Sequence, residues 1–150
     1  MPAAPVIREA RPEDLDALVA LENRCFEGDR MSRRSYAAAL RNRRARILAA
    51  LDGRKLVGAA VVFLRADSPA ARLYSVAVDP ALRGQGLGAR LLAAAERAAR
   101  DGGAASLRLE VKDRNKTALA LYAKSGYGII GRIAQYYDDG SDARRLEKTL

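Results

Sequence analysis

Apolar and polar positions alternate strictly over residues 106–112: Leu107, Leu109 and Val111 fall on one side, Arg108, Glu110 and Lys112 on the other. That period of two marks a strand with one buried face. The preceding stretch follows the helical period instead. Leu87, Leu91, Leu92, Ala95, Ala98 and Ala99 form one apolar stripe on a helix that begins at Gln85 or Gly86 and stops at Gly102-Gly103. Leu15, Leu18, Val19 and Cys25 mark an earlier amphipathic helix, opened by Pro12, with Glu13, Asp14 and Asp16 suiting its positive end. Ser32 is a fitting N-cap for a second helix over about 33–42.

Strands fill the remainder. Residues 6–9 make a short first strand, and the apolar runs 47–51 and 56–64 flank Asp52-Gly53, a hairpin signal. A loop around Asp67-Ser68-Pro69 leads to a strand over 73–78, which Asp79-Pro80 ends because proline lacks the amide a ladder needs. Residues 115–125 read as a helix closed by Gly126. The chain finishes as a strand pair, 127 to about 137 and 142–150, joined by Asp138-Asp139-Gly140-Ser141. The order β-α-α-β-β-β-α-β-α-β-β predicts an α/β (α+β) fold, a mixed sheet with helices on both faces. No repeat or low-complexity linker interrupts it, so residues 1–150 are expected to form a single domain.

Composition narrows the chemistry more than the fold. The chain has 150 residues, 49% hydrophobic and 30% charged, enough for one continuous core. Its net charge of +9 suits anionic ligands, yet the arginines are dispersed, which favours an evenly charged surface over a nucleic-acid tract. With no histidine, triads and most zinc sites are excluded, and proton transfer falls to Glu, Asp, Tyr, Lys, the lone Cys or water. Cys25, at the end of an apolar helical stripe, is expected to be a small core residue rather than a nucleophile. No apolar run approaches the roughly 20 residues that cross a bilayer, and Met1-Pro2-Ala3-Ala4-Pro5 lacks a signal-peptide pattern. A cytoplasmic protein without a membrane partner is expected.

The strongest chemical signal is Arg83-Gly84-Gln85-Gly86-Leu87-Gly88, lying between a strand and a long helix. Glycines tolerate positive φ, and a helix's first turn offers unpaired N–H groups and partial positive charge, together a cradle for a pyrophosphate or similar anion. Arg83 adds a full charge. The run lacks the P-loop Lys-Ser/Thr, and no acidic residue follows in the dinucleotide-binding manner.

Arg83 to Gly88, with Val76-Ala77-Val78-Asp79-Pro80 just upstream, resembles the acetyl-coenzyme A motif of the GNAT family of N-acetyltransferases. Leu109-Glu110-Val111-Lys112-Asp113-Arg114-Asn115, then Ala120-Leu121-Tyr122 and Gly126-Tyr127, are similar to the family's second motif. More narrowly the chain resembles the bacterial ribosomal-protein-alanine N-acetyltransferases, through its ending Tyr136-Tyr137-Asp138-Asp139-Gly140-Ser141-Asp142-Ala143 as well. The likeness follows element order over 7–150 and is specific from Leu73 onward.

This resemblance implies an acyl-CoA N-acyltransferase fold and acetyl-CoA as cosubstrate, with no metal. Val76, Ala77 and Val78 would meet the pantetheine arm, the Val78 amide polarising the thioester carbonyl as an oxyanion donor. Arg83, Gly84, Gln85, Gly86, Leu87, Gly88 and Ala89 would hold the pyrophosphate, and Asn115 would hydrogen-bond the pantetheine. Glu110 matches the proton acceptor and Tyr122 the donor to departing coenzyme A. Tyr122 follows Asn115 by about two turns at ~3.6 residues each, so both address one ligand. Tyr136 and Tyr137 would line the acceptor site, although one of an adjacent pair on a strand faces the core.

Other assignments stay open from residues alone. Glu110 alternates with Arg108 and Lys112 and fits a solvated strand residue paired with a neighbour; Tyr122 fits a packed aromatic. The Asp138–Asp142 turn reads as a polar hairpin rather than a metal site. Where the ribosomal-protein enzymes carry a Pro-Trp-Ser-like segment, this chain reads Phe26-Glu27-Gly28-Asp29-Arg30-Met31-Ser32 and has no tryptophan. The expected activity is acetyl transfer to a primary amine, a protein N-terminus first and a small amine (polyamine, amino acid or aminoglycoside) second. A polyamine site should show converging carboxylates, for which Glu22, Glu27 and Asp29 are the local candidates. A coenzyme A-binding module without catalysis, or a basic nucleic-acid-binding module, is the alternative from another class.

Overall fold

The computed structural model describes residues 4–150, so Met1, Pro2 and Ala3 of the N-terminal stretch discussed above lie outside the described residues. The elements follow the expected order: β1 (Val6–Glu9), α1 (Leu15–Cys25), α2 (Arg33–Arg41), β2 (Ala45–Asp52), β3 (Lys55–Phe63), β4 (Ala70–Val78), α3 (Leu87–Asp101), β5 (Ser106–Lys112), α4 (Lys116–Lys124), β6 (Gly128–Ile133) and β7 (Ala143–Thr149). Short 3-10 turns at Pro12–Asp14 and Pro80–Leu82 lead towards α1 and α3.

Local chemistry explains the boundaries. Ser32 caps α2 by accepting the Ser35 amide at 3.1 Å. Asp14 accepts the Arg11 amide and the Arg8 guanidinium, and the Arg8 hydrogen bond holds its carboxyl below the usual carboxylate range. In the β2–β3 hairpin Asp52 pairs with Lys55, so the turn proper is Gly53-Arg54, with Gly53 at φ 62°. The turn is therefore one residue later than the Asp52-Gly53 signal.

One seven-stranded sheet has the order β1-β2-β3-β4-β5-β7-β6. Every neighbouring pair is antiparallel except β4–β5, which is parallel and pairs only Ala70, Ala71 and Arg72 with Ser106, Leu107 and Arg108. Beyond that seam the strands separate. A bulge contributes: Val61 faces Ser75 and Val62 faces Leu73, leaving Tyr74 as the extra residue on β4. An extra residue bends its strand and sharpens the local twist.

The sheet's two faces carry two cores. Leu91, Leu92 and Ala95 of α3 pack with Val57, Ala60, Val62, Leu107 and Leu109, while Leu18, Leu21 and Tyr36 from α1 and α2 pack with Ile47, Ala49, Ala59 and Val61. Glycine at Gly58 permits α3 to sit this close, since a Cβ there would lie 2.8 Å from Leu91 Cδ1.

One prediction is corrected. The strand expected over 127 to about 137 ends at Ile133, and residues 134–142 form a longer connection than the four-residue turn. Gln135 takes φ 52° there, a left-handed conformation that ends regular pairing. Tyr136 and Tyr137 therefore sit on a loop, and the rule that one of them must face the core no longer applies.

Candidate active site

Register determines what the separated part of β4 offers. The ladder bond from Asp79 N to Val57 O (2.8 Å) fixes the phase of the β3–β4 pair. Alternate residues then bond β3, so Ala77 turns its backbone to β3 while Val76 and Val78 turn theirs towards the gap left by β5. The Cys25 thiol donates to Val78 O at 3.3 Å, consistent with that carbonyl facing away from β3. Ala77 places its methyl in the α1/α2 core; Val76 and Val78 pack towards α3.

A cavity of about 660 Å³ fills the gap. It brings together Val76, Glu110, Asn115, Tyr122, Tyr136 and Tyr137 of the expected site residues. Alternation on β5 sends Leu109 and Val111 into the α3 core, so Glu110 projects on the opposite face, whereas Tyr122 belongs to the α3-side core. The two groups thus approach the opening from opposite faces of the sheet.

Glu110 is only 8% exposed at its side chain and pairs with Arg72 across the start of the opening, Nη2 to Oε1 at 3.0 Å. The carboxylate is thus buried rather than solvated, and its ion-pair partner comes from β4 rather than from Arg108 or Lys112 on its own strand. Arg72 also donates to the Tyr136 hydroxyl at 2.8 Å, and that hydroxyl lies 3.4 Å from the same carboxylate oxygen. Tyr137 packs edge-on against Tyr136, beneath the Lys112 ammonium at 5.2 Å from the ring centre. Burial, followed by repulsion from Tyr136 and Glu110, pushes the Tyr137 phenol well up.

Tyr122 is buried by α4 packing, which raises its phenol to about 12 and keeps it protonated at neutral pH. Its ring meets Tyr127 edge-on at 5.5 Å. Tyr127 in turn donates to Glu96 at 2.8 Å, and Lys148 donates to the other Glu96 oxygen at 3.0 Å. Glu96 interrupts the apolar stripe of α3 with a buried, fully partnered carboxylate that periodicity alone did not anticipate. Asn115, which lines the cavity, is the N-cap of α4: its Oδ1 accepts the Ala118 amide at 3.1 Å, and its side-chain NH2 is not needed for the cap.

Beyond the cavity, Arg83 to Ala89 lead into α3. Gly84 (φ 81°) and Gly86 (φ 83°) both take left-handed backbone, and a Cβ at either would meet nothing within 4 Å. Conformation, rather than crowding, demands glycine at these two positions. Gly86 is the N-cap and supplies no side-chain cap, and the Arg90 amide is bonded to Gly86 O. The Leu87, Gly88 and Ala89 amides precede the first bonded turn, and the loop before them is exposed.

The wall opposite comes from α1 and the 26–32 segment. Glu22 is 2% exposed and satisfied by the Met31 amide (2.9 Å) and the Tyr36 hydroxyl (2.6 Å), so it pins that segment rather than facing a ligand unpaired. Glu27 and Asp29 line the same cavity. Cys25 is half-buried and burial raises its thiol, with Arg83 partly offsetting the shift. Sequence reasoning missed Arg72, Tyr74 and Lys112 as cavity residues; only the strand separation, which sequence periodicity does not encode, brings them to the opening. Asp139 and Asp142 of the 138–142 turn are spent on backbone and arginine or lysine partners, and among the described residues no group of three or more His, Cys, Asp or Glu is placed to hold a metal ion. Nor is any described helix long and apolar enough to cross a membrane.

Comparison with known proteins gives a consistent picture. Residues 15–127 match the model of the acetyltransferase (GNAT) family. An uncharacterised protein of Mycobacterium leprae (strain TN) is 34% identical over 95% of this chain, which spans 40% of that protein's length. A Bacillus subtilis (strain 168) protein, named as a [ribosomal protein bS18]-alanine N-acetyltransferase, is 31% identical over 96% of this chain and 95% of its own. The crystal structure of the ribosomal-protein-S18-alanine N-acetyltransferase from Escherichia coli superposes with a TM-score of 0.87 at 28% identity, covering 97% of this chain and 94% of that one.

Proposed function

The chain belongs to the acetyltransferase (GNAT) family, and from that premise we propose that it moves acetyl from acetyl-CoA to a primary amine, the α-amine of a protein beginning in alanine being its acceptor. It acts in this reading as one domain over residues 1–150, in the cytoplasm. The observation that carries the proposal is the opening between β4 and β5, with Glu110 entering from one face and Tyr122 from the other. The E. coli and B. subtilis likenesses favour a ribosomal-protein N-terminus.

The residues present fit the cosubstrate. Backbone groups of Val76 and Val78 turned away from β3 would bond the amide-bearing pantetheine arm as a partner strand would, and the Asn115 NH2 would take another of its acceptors. The Leu87, Gly88 and Ala89 amides, with Arg83, would bind pyrophosphate at the positive end of α3. Either outward amide would polarise the thioester carbonyl; Val76 lines the cavity that holds Glu110 and Tyr122, which favours it over Val78.

Glu110 accepts a proton from the acceptor's ammonium, directly or through one water, freeing the nitrogen lone pair. The amine nitrogen would then bond the thioester carbonyl carbon as the carbon–sulfur bond breaks; Tyr122 would give its proton to the departing sulfur, and the second proton shed by the nitrogen would pass through water to restore the Tyr122 phenol. Burial raises this phenol to about 12, so it is protonated beforehand and its proton is in place for the departing sulfur. Tyr136, Tyr137 and the 26–32 segment would flank the acceptor's first residues.

Glu27 and Asp29 on the cavity wall favour a second acceptor class, a small polyamine. A thiol-release assay with acetyl-CoA, alanine-initiated peptides, the same peptides N-blocked, and polyamines separates the two. Release that requires a free peptide amine supports the first reading. Release with polyamines alone replaces it with the second, and failure of the protein to bind coenzyme A would sink both.

A further inference from the structure

Arg72 has no role in the reaction as described, yet it occupies a singular place. It is the last residue of the three-residue seam, beyond which no backbone pair holds β4 to β5. There its Nη2 contacts Glu110 Oε1 (3.0 Å) and the Tyr136 hydroxyl (2.8 Å), and that hydroxyl closes the triangle at 3.4 Å. Three segments, β4, β5 and the 134–142 loop, thus converge on one carboxylate oxygen. The guanidinium carbon lies 5.6 Å from the centre of the Tyr74 ring, the residue bulged out of β4. Arg72 Nε is buried with no hydrogen-bond partner among the described residues, so the head is held in this pose through its Nη2 contacts and the ring.

Other charges near Glu110 are committed elsewhere. On β5, Arg108 bonds Glu147 and Lys112 bonds Asp139. On the cavity's far wall, Glu22 is satisfied by Met31 and Tyr36, and Asp29 accepts the Asp138 amide at 3.5 Å with Lys112 at 3.9 Å. Arg145 of β7 stands opposite Glu110 in the ladder without an ion pair to it. Arg72 is therefore the cation that sets the carboxylate's orientation.

We propose that Arg72 is a positioning residue for acetyl transfer: it fixes Glu110 and Tyr136 to one another, so the proton acceptor and the acceptor-side loop are held as one unit. The proposal rests on Glu110 being the proton acceptor. Because small misplacements of a reacting group cost about 10–100-fold in rate, Arg72→Met is expected to lower kcat by about that factor while leaving the KM for acetyl-CoA unchanged. Arg72→Lys, which keeps a cation with several donors, should recover most of the loss.

The experiment is a double-mutant cycle of Arg72→Met and Glu110→Gln with an alanine-initiated peptide, alongside hydrogen exchange of the 134–142 amides in wild type, Arg72→Met, Arg72→Lys and Tyr136→Phe. In the Glu110→Gln background, Arg72→Met should cost nothing further. Exchange at 134–142 should quicken in Arg72→Met and Tyr136→Phe, with Arg72→Lys close to wild type. Fully additive losses, a loss confined to the KM for acetyl-CoA, or unchanged loop exchange would each overturn the proposal. An inert Glu110→Gln with quickened loop exchange would instead discard Glu110 as proton acceptor while keeping the clamp. The exchange arm needs no acceptor and decides the clamp even if no peptide turns over.

Discussion

Gly86→Ala isolates the contribution of one left-handed residue to stability and to the proposed anion binding. Gly86 sits at φ 83° and ψ 3° as the N-cap of α3, and nothing within 4 Å would obstruct a methyl group. Crowding therefore adds no cost, and the penalty is the intrinsic one for an L-residue in this region, roughly 1–2 kcal/mol. For a chain of this size ~1 kcal/mol moves the melting temperature by about 2–4 °C, so a fall of roughly 2–8 °C is expected in a thermal melt. Asparagine, which visits this conformation more readily, should lose less than alanine. If alanine instead relaxes out of the left-handed region, the Leu87, Gly88 and Ala89 amides turn away, and coenzyme A affinity by calorimetry drops by about 5–30-fold. An unchanged melt together with unchanged affinity, or asparagine no better than alanine, refutes the reasoning.

Other perturbations probe separate parts of the molecule. Glu22→Ala leaves the Met31 amide and the buried Tyr36 hydroxyl unpartnered and should cost about 2–4 kcal/mol in urea unfolding; a loss below about 1 kcal/mol would show that water replaces the carboxylate. Gly58→Ala drives a methyl towards Leu91 Cδ1 at 2.8 Å and should destabilise by about 1–3 kcal/mol with α3 displaced in a crystal structure. Burial raises Tyr122 from 10.0 to about 12, so between those values the unfolded chain binds fewer protons and stability falls as pH rises. Tyr122→Phe should flatten that alkaline decline by up to roughly 2–3 kcal/mol, measured as unfolding free energy against pH; an identical slope in both proteins would place the phenol in water.

Periodicity and caps made most of the elements legible: the alternation around Leu109, the stripe through Leu91 and the Ser32 cap all mark local events with local signals. The Gly84 and Gly86 turn was legible too, because only its residue type suits that backbone. What escaped was non-local. Tyr74's bulge depends on β3 as partner, and the separation of β4 from β5 involves two strands distant in sequence, so nothing within residues 70–78 announces Arg72 as Glu110's counter-ion. Tyr136 and Tyr137 line the cavity from a loop rather than from the expected strand; aromatic residues suit strands, and the break at Gln135 lies in a residue that seldom takes positive φ. Glu96 escaped because its partners, Tyr127 and Lys148, are distant in sequence.

A strand in the middle of this sheet behaves as a free edge for half its length. What β4 presents there is main chain, and main chain survives substitution. Exchanging Val76 or Val78 for another strand-forming residue changes a packed side chain towards α3 but leaves the outward N–H and C=O in place. The opposite wall, made of Glu22, Glu27, Asp29, Tyr136 and Tyr137, is written wholly in side chains and loops. If β4 holds the cosubstrate and the opposite wall the acceptor, as proposed, mutational drift should fall unevenly: the cosubstrate half tolerates varied residues while keeping one ligand, and the acceptor half can change its ligand with few replacements. In a deep mutational scan selected first for coenzyme A retention and then for acceptor turnover, the two maps of sensitive positions would separate along the line where β4 leaves β5.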